Sequence, residues 1–215
     1  MGSRRLSALL VAGACALGLL WTWLIAFGTD AGLRLDQRIY AAVAVRRTAE
    51  AAELATSIRR LADPAGFLLL VAVVLAVPLL RRRWPLVAAV AVVILGANAT
   101  TQVLQELTYG GRHVVSIERA YWPSGHTTAI VSLALGLLIS VPRQARIPVG
   151  LSAVAGAAAM GWAVTVLGSH LPSDVAGAVF VCGMWAAAVQ AGILWRADRA
   201  GARAAGAGRS GAEAA

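Results

Sequence analysis

The sequence contains no lysine and few charged residues of either sign. All 19 of its basic residues are arginine, only 10 residues are acidic, and charged residues make up 13% of the chain. Soluble globular domains contain about 25% charged and about 45–50% apolar residues, whereas this chain is 59% apolar. This composition argues against a soluble domain and is typical of a protein that is solvated by lipid.

Cysteine is also scarce. The chain has Cys15 and Cys182, both within apolar stretches and far apart in sequence. Neither their number nor their spacing fits a disulfide framework or a cysteine-based metal site.

The net charge of +9 does not indicate nucleic-acid binding, although basic patches do bind phosphate backbones. The arginines lie mostly in short clusters between apolar runs, which is the arrangement of membrane topology signals. We therefore predict that the protein associates with a membrane bilayer and that it does not bind nucleic acid.

Six apolar segments are candidates for membrane-spanning helices, because a spanning helix needs roughly 20 mostly apolar residues. They cover residues 6–27, 65–80, 85–104, 124–141, 147–168 and 173–195. The segments lack the alternation of a membrane β-barrel, and only helices satisfy the backbone of isolated apolar runs in lipid. The sequence predicts an all-α, polytopic bundle of six transmembrane helices.

The arginine clusters also predict the orientation of the bundle. Six crossings place residues 4–5, 81–83, 143–146 and 196–203 on one side, which the positive-inside rule assigns to the cytoplasm. Both termini are then cytoplasmic, in a protein expected in a bacterial cytoplasmic membrane. Trp84 and Trp195 would mark the inner interface and Trp122 the outer one.

Two stretches outside the six segments have distinct composition. Asp36–Leu61 has apolar residues at helical spacing and a charged opposite face, which predicts one or two amphipathic helices on the outer surface; an ordinary connecting hairpin is the alternative. Residues 197–215 lack large apolar side chains, which predicts a disordered cytoplasmic tail after a membrane domain at 1–196.

A polar motif with the sequence WPSGH, residues 122–126, stands immediately before the fourth apolar segment. Proline suits the first turn of a helix, and the free N–H groups of Ser124 and Gly125 would lie at its positive end, which favours phosphate. Gly125 permits close approach of a ligand, and His126 can donate a proton near neutral pH. The simpler alternative is a helix start that is capped by serine.

A second polar motif with the sequence HLPSD, residues 170–174, precedes the sixth apolar segment. His170 and Asp174 are four residues apart, so a helical turn places them on one face. The carboxylate would fix the tautomer of the imidazole and leave its other nitrogen as a nucleophile. The alternative is a pair that only holds the helix end.

The predicted outer segment 105–123 supplies candidate phosphate ligands. Arg112 can bind phosphate through its planar fork of donors, and Arg119 is a second candidate. A solvated loop residue is an equal alternative for Arg112 and the favoured one for Arg119. The outer segments contain no acidic cluster that would suit a metal ion, so we predict neither a metal nor a cofactor.

Together these residues resemble the type 2 phosphatidic acid phosphatase family of membrane lipid phosphatases, which is related to vanadium haloperoxidases. The family pattern has three motifs: Lys followed seven residues later by Arg-Pro, then Pro-Ser-Gly-His, then Ser-Arg followed by His and, four residues on, Asp. The second motif is complete at residues 123–126, and the third keeps His170 and Asp174.

The chain departs from the family pattern in the other two motifs. Gln105 stands in place of the lysine, and Arg112 is followed by His113 instead of proline. Ala163 and Val164 stand where the third motif has Ser-Arg. Two of the three family phosphate-binding cations are therefore absent, which weakens the predicted cradle unless other residues substitute.

The resemblance implies a phosphatase that hydrolyses a lipid phosphate or a polyprenyl or lipid diphosphate at the outer leaflet. It implies that His170 attacks phosphorus to form a phosphohistidine, that Asp174 orients His170, and that His126 protonates the leaving oxygen. It assigns the phosphoryl oxygens to Arg112, Ser124 and Gly125. Possible auxiliary residues are Arg119, His113 and Gln105.

Two alternatives remain open beside hydrolysis. A catalytically weak or inactive member would bind a lipid phosphate or a membrane-protein partner, and a phosphotransferase would pass the phosphoryl group to another acceptor. A transporter is disfavoured, since no segment carries a charge in its middle and no inverted repeat is visible. The oligomeric state is open.

Overall fold

The computed structural model of the chain describes residues 2–109 and 121–213, with side chains throughout except at residues 202 and 204–213. Within these residues the protein is helical and contains no strand, so the predicted all-α class is confirmed. The helices are α1 Ser3–Trp23, α2 Asp30–Ala44, α3 Ala49–Arg60, α4 Pro64–Leu80, α5 Trp84–Thr108, α6 Gly125–Ser140, α7 Arg146–Val166 and α8 Pro172–Glu213. A π-helical turn at Leu24–Gly28 follows α1, and a short 3-10 turn at Arg143–Ala145 precedes α7.

A helix occupies each of the six predicted apolar segments, but fewer than six qualify as membrane spans by length and composition. Four do so in the described part of the chain: Ser3–Gly28, Trp84–Thr108, Arg143–Val166 and Pro172–Gly201. Helices α3 and α4 form a fifth candidate if the pair, which is bent by 54°, is one span. Helix α6 has only 16 residues, which at about 1.5 Å per residue falls short of the bilayer core. The protein is therefore an integral membrane protein with four or five candidate spans.

Helix α6 lies at the centre of the bundle and contacts α4, α5, α7 and α8. Its buried face consists of small and medium-sized residues, including Thr128, Ala129 and Gly136, so neighbouring helices pack closely against it. Helix α1 packs along α8 and leaves most of its large apolar side chains exposed, as expected of a helix that faces lipid.

The predicted amphipathic stretch forms two helices, α2 and α3. Each begins at a threonine whose hydroxyl accepts a hydrogen bond from a backbone N–H of the first turn: Gly32 N–H bonds Thr29, and Ala51 N–H bonds Thr48. Helix α3 packs on α7 through Ala55, which is wholly buried. Both helices therefore contact the bundle, and their position on the outer surface stays a prediction.

The last helix continues beyond the predicted domain boundary at residue 196. The sequence predicted a disordered tail from residue 197, whereas the backbone of α8 is helical to Glu213. The alanines and arginines of this stretch favour a helix, whereas its glycines at positions 201, 206, 208 and 211 do not. A separate cytoplasmic tail stays a prediction.

The structure corrects the expected place of Trp122. The sequence predicted an indole at the outer membrane interface, but Trp122 is only 2% exposed. Its ring packs edge-on against Phe27 and fills the space opposite Gly177, where a Cβ atom would lie 2.8 Å from the indole nitrogen. Because the tryptophan fills this core position, it anchors the start of the WPSGH motif to α8.

Candidate active site

A cavity of about 610 Å³ opens between α4, α5 and α6 at the end of the bundle that carries both polar motifs. His126 and His170 line it together with Gly125 and Gln105, so the structure brings four predicted site residues to one space. The rest of the lining is Ala62, Asp63, Pro64, Phe67, Leu68, Asn98, Gln102, Tyr121 and Ala129.

His170 lies just before α8 with its Nδ1 atom held between two oxygen atoms. The carbonyl oxygen of Tyr121 is 3.1 Å away, and Oδ2 of Asp174 is 3.3 Å away. A carbonyl oxygen can only accept a hydrogen bond, so this position suits an N–H at Nδ1. In the neutral imidazole the other ring nitrogen, Nε2, then keeps its lone pair, as a nucleophile requires.

Asp174 lies in the first turn of α8 and is wholly buried. Its Oδ2 also accepts a hydrogen bond of 2.9 Å from the N–H of Leu171, and the positive end of the helix favours its negative charge. The backbone N–H of Ser124 donates to the carbonyl of Asp174 at 2.9 Å. This last bond joins the two polar motifs, which are distant in sequence.

Ser124 caps α6 and does not line the cavity. Its wholly buried hydroxyl accepts hydrogen bonds from the N–H and the hydroxyl of Thr127, at 3.4 and 3.0 Å. The next two residues, Gly125 and His126, begin the helix and face the cavity. The motif thus forms the predicted helix start, and a direct bond from Ser124 to a phosphate stays a prediction.

Gln105, which replaces the family lysine, braces the WPSGH motif from α5. Its Nε2 atom donates a 2.6 Å hydrogen bond to the carbonyl of Pro123. One turn further along α5, the hydroxyl of Thr108 lies 3.0 Å from the carbonyl oxygen of Trp122 and 2.7 Å from that of Leu104, so both carbonyls share its one proton. Two neutral side chains therefore hold two successive carbonyls of the motif, a positioning role that the sequence did not predict for Gln105.

Asp63 is a site residue that sequence reasoning missed. It precedes α4, and its Oδ1 lies 3.6 Å from Nε2 of His126, an ion-pair distance when the imidazole is protonated. It makes no capping hydrogen bond to α4, so its carboxylate is not committed to the helix start. The dipeptide Asp63-Pro64 at a helix start is the only sequence signal, and it normally indicates a cap.

Asp36 is a second site residue that the sequence did not identify, and it supports the site by bonding the start of α8. This carboxylate in α2 is only 3% exposed and accepts hydrogen bonds from both the N–H and the hydroxyl of Ser173 at the start of α8. Asp36 shares the helical stripe of Leu33 and Tyr40, which pack on Leu171. The feature of the sequence that could have identified Asp36 is a carboxylate within an apolar helical stripe.

Among the described residues, no arginine lines the cavity. Val164, at the place of the family arginine, is wholly buried, and its carbonyl accepts the N–H groups of Ser169 and His170. The predicted ligands Arg112, His113 and Arg119 lie outside the described residues. Among the described residues, the lining of the cavity includes two histidines, one carboxylate, three side-chain amides and an apolar wall.

Comparison with known proteins is consistent with this arrangement. Residues 97–198 match the model of the PAP2 superfamily, which confirms the resemblance predicted from the motifs. The fold is similar to the crystal structure of the first transmembrane PAP2 type phosphatidylglycerolphosphate phosphatase from Bacillus subtilis, with a TM-score of 0.67 and 21% identity. That likeness covers 85% of this chain and 96% of the other. No curated protein sequence matches the chain.

Proposed function

Because residues 97–198 carry the PAP2 superfamily match, we propose that this protein is a membrane phosphatase that hydrolyses a lipid phosphate or a polyprenyl or lipid diphosphate. The observation that carries the proposal is the pairing of His170 Nδ1 with Asp174 and the Tyr121 carbonyl. In the neutral imidazole this pairing leaves the lone pair on Nε2, in a cavity that also holds His126.

In the first proposed step, Nε2 of His170 attacks phosphorus and the bond from phosphorus to the leaving oxygen breaks. Protonated His126 transfers its proton to that oxygen, so the lipid leaves as a neutral alcohol or, from a diphosphate, as a monophosphate. Asp174 balances the positive charge that develops on His170. The product of this step is a phosphohistidine.

In the second proposed step, water attacks the phosphorus of the phosphohistidine. His126, now neutral, accepts a proton from that water, and the bond from phosphorus to Nε2 of His170 breaks. Inorganic phosphate leaves and both histidines return to their starting states. The N–H groups at the start of α6 face the cavity beside Gly125 and would hold phosphoryl oxygens.

The shape of the cavity supports a lipid as the substrate. From the two histidines it extends along α4 past Phe67 to Leu68, which is 66% exposed on the side of the bundle. An acyl or prenyl chain could lie against this apolar wall while the phosphate stays at the histidines. The arginine clusters mark the other end of the bundle, so the positive-inside rule supports an active site at the outer leaflet.

Phosphate release by the purified protein tests the proposal. We expect release from at least one of phosphatidate, phosphatidylglycerophosphate and a polyprenyl diphosphate in mixed micelles, without added metal. A water-soluble monoester such as glycerol 3-phosphate serves as the matched substrate that lacks the chain. Folded protein that releases phosphate from none of the lipids would contradict the proposal.

We predict that Asp63→Asn lowers kcat about tenfold, because the carboxylate stabilises the protonated His126 that serves as general acid. The loss in kcat should be smaller with a p-nitrophenyl substrate, because p-nitrophenolate leaves without accepting a proton. Since Asp63 makes no cap bond, the melting temperature should change little.

The control for this prediction is Asp30→Asn, which removes an exposed carboxylate from the first turn of α2. This control variant should leave kcat unchanged with both the lipid and the p-nitrophenyl substrate. An equal loss with lipid and p-nitrophenyl substrates in Asp63→Asn would show that the carboxylate does not act through proton transfer.

A non-catalytic lipid-phosphate-binding protein is the second candidate, and the neutral Gln105 favours it. In the described part of the chain this glutamine is bonded to a carbonyl, and no arginine lines the cavity. Binding of phosphatidate by folded protein, without turnover, would establish this candidate in place of hydrolysis.

The variant Gln105→Lys tests the phosphatase candidate. For a phosphatase, we expect the added charge to lower KM about tenfold, because charge-assisted hydrogen bonds are roughly twice as strong as neutral ones and 1.4 kcal/mol is tenfold. The ammonium can still donate to the Pro123 carbonyl, so folding should persist. Gln102→Lys, one turn away on the cavity wall, controls for charge alone, and equal effects of both would contradict a specific phosphate contact.

A further inference from the structure

A second cavity lies at the opposite end of the bundle from the two histidines. It has a volume of about 280 Å³ and is bounded by the link between α4 and α5, the link between α6 and α7, and the side of α8. Helix α6, which begins at the candidate active site, ends here at Ser140. We call this space the arginine cavity, since its lining includes Arg83, Arg143 and Arg146.

The three arginines come from two separate links, so their convergence is a product of the tertiary structure. None of them forms an ion pair with any carboxylate in the part of the chain that the structure describes. Asp198, the acidic residue on the same half of α8, lies next to Gly2 instead. All three side chains are exposed at the rim of the cavity, and an anion that binds between like charges offsets their mutual repulsion.

The backbone adds to the positive potential of the arginine cavity. Arg83 is the residue immediately before α5, and Arg146 is the first residue of α7, so two helices begin at its edge. The start of a helix carries partial positive charge. Gln190 of α8 supplies a neutral amide on the opposite wall. Planar guanidinium groups with such donors match the oxygens of a phosphate.

Tryptophans place the arginine cavity at the level of lipid headgroups. Trp84 opens α5 beside Arg83 and is 65% exposed. Trp195 of α8 is covered by the guanidinium of Arg199 at 3.8 Å from the ring centre. Exposed tryptophans concentrate where the bilayer meets water, and basic pockets at that depth bind the headgroups of anionic lipids.

We propose that the arginine cavity binds a phosphate group. Its source is either the headgroup of an anionic phospholipid or free inorganic phosphate, and these two sources share the chemistry that the arginines recognise. This site is separate from the candidate active site and does not depend on the proposed hydrolysis.

Native mass spectrometry of the full-length protein tests lipid binding at the arginine cavity. The probe is phosphatidylglycerol, a diester that lacks a terminal phosphate, and phosphatidylcholine is the zwitterionic control. Inorganic phosphate is tested separately by its effect on the melting temperature, against chloride at equal ionic strength. The cavity variant carries Arg83→Gln, Arg143→Gln and Arg146→Gln. The matched control, which removes the same charge outside the lining, carries Arg4→Gln, Arg5→Gln and Arg81→Gln.

We expect phosphatidylglycerol to bind wild type and control alike and the cavity variant at least about tenfold more weakly. That result supports the proposal with a lipid as the source. A melting temperature that phosphate raises in wild type and control but not in the cavity variant supports it with free phosphate as the source. The proposal is overturned if neither probe distinguishes the cavity variant from the control.

A lysine variant keeps the test decisive if the glutamine variant does not fold. Arg83→Lys, Arg143→Lys and Arg146→Lys retain the charges that orient the helices but lose the planar fork. We expect about threefold weaker binding of the probe that wild type selects. Unchanged affinity for both probes in this variant would then overturn the proposal.

Discussion

Replacement of His170 by alanine should lower kcat for lipid-phosphate hydrolysis by about 10⁴-fold or more, as removal of a catalytic nucleophile does in other covalent mechanisms. The reason is that Nε2 is the proposed nucleophile, with Nδ1 committed to Tyr121 and Asp174. Wild-type protein that is quenched in alkali during turnover of labelled substrate should carry an acid-labile phosphohistidine, and the variant should carry none.

The variant His170→Asn distinguishes the loss of the nucleophile from a loss of folding. The asparagine amide can donate to the Tyr121 carbonyl as Nδ1 does, but it offers no nucleophilic nitrogen. We expect activity as low as that of the alanine variant with a melting temperature closer to that of wild type. Turnover by His170→Asn at the wild-type rate would contradict the assignment of the nucleophile.

Asp174→Asn should have the second largest effect, a loss in kcat on the order of 10²–10⁴-fold with little change in KM. Oδ2 of Asp174 receives the N–H groups of both His170 and Leu171. Asparagine can present its oxygen to both N–H groups, but it carries no charge and cannot balance the positive charge that develops on His170 during attack. Because the Tyr121 carbonyl still favours the productive tautomer, the loss should be smaller than for His170→Ala.

The control for this variant is Asp36→Asn, which changes another buried carboxylate at the start of α8. Asp36 accepts hydrogen bonds from the N–H and the hydroxyl of Ser173, whereas Asp174 accepts them from His170 and Leu171. We expect Asp36→Asn to lower the melting temperature while kcat falls less than about tenfold, as for a lost supporting bond. If both variants lost kcat equally, Asp174 would act by holding the helix start and not through its charge beside His170.

Part of this site was predictable because its residues are local in sequence. His170 and Asp174 are four residues apart at a helix start, and the turn of the helix alone brings them together. The WPSGH motif likewise forms its cap between Ser124 and Thr127, three residues on. Short-range geometry of this kind depends on backbone sterics and needs no knowledge of the fold.

Other parts were not predictable because their residues meet only after the helices pack. Asp63 reaches His126 from the link before α4, and Asp36 reaches Ser173 across 137 positions of sequence. Gln105 was expected as the replacement of a family lysine and as a possible auxiliary residue, whereas its contact with the Pro123 carbonyl makes it a positioning residue. Trp122 was placed at the membrane interface because an indole suits that depth, but a glycine on α8 left room for it in the core.

The sequence by itself determined that this protein is a helical membrane protein with two polar helix starts, because apolar runs in lipid must bond their own backbone and because both motifs act within a few residues. The tertiary structure alone decided which side chains share a space with the histidines, and it gathered three arginines from two links into one cavity at the other end. The physical reason is that helix packing depends on side-chain shape across distant segments, which periodicity along one segment does not encode.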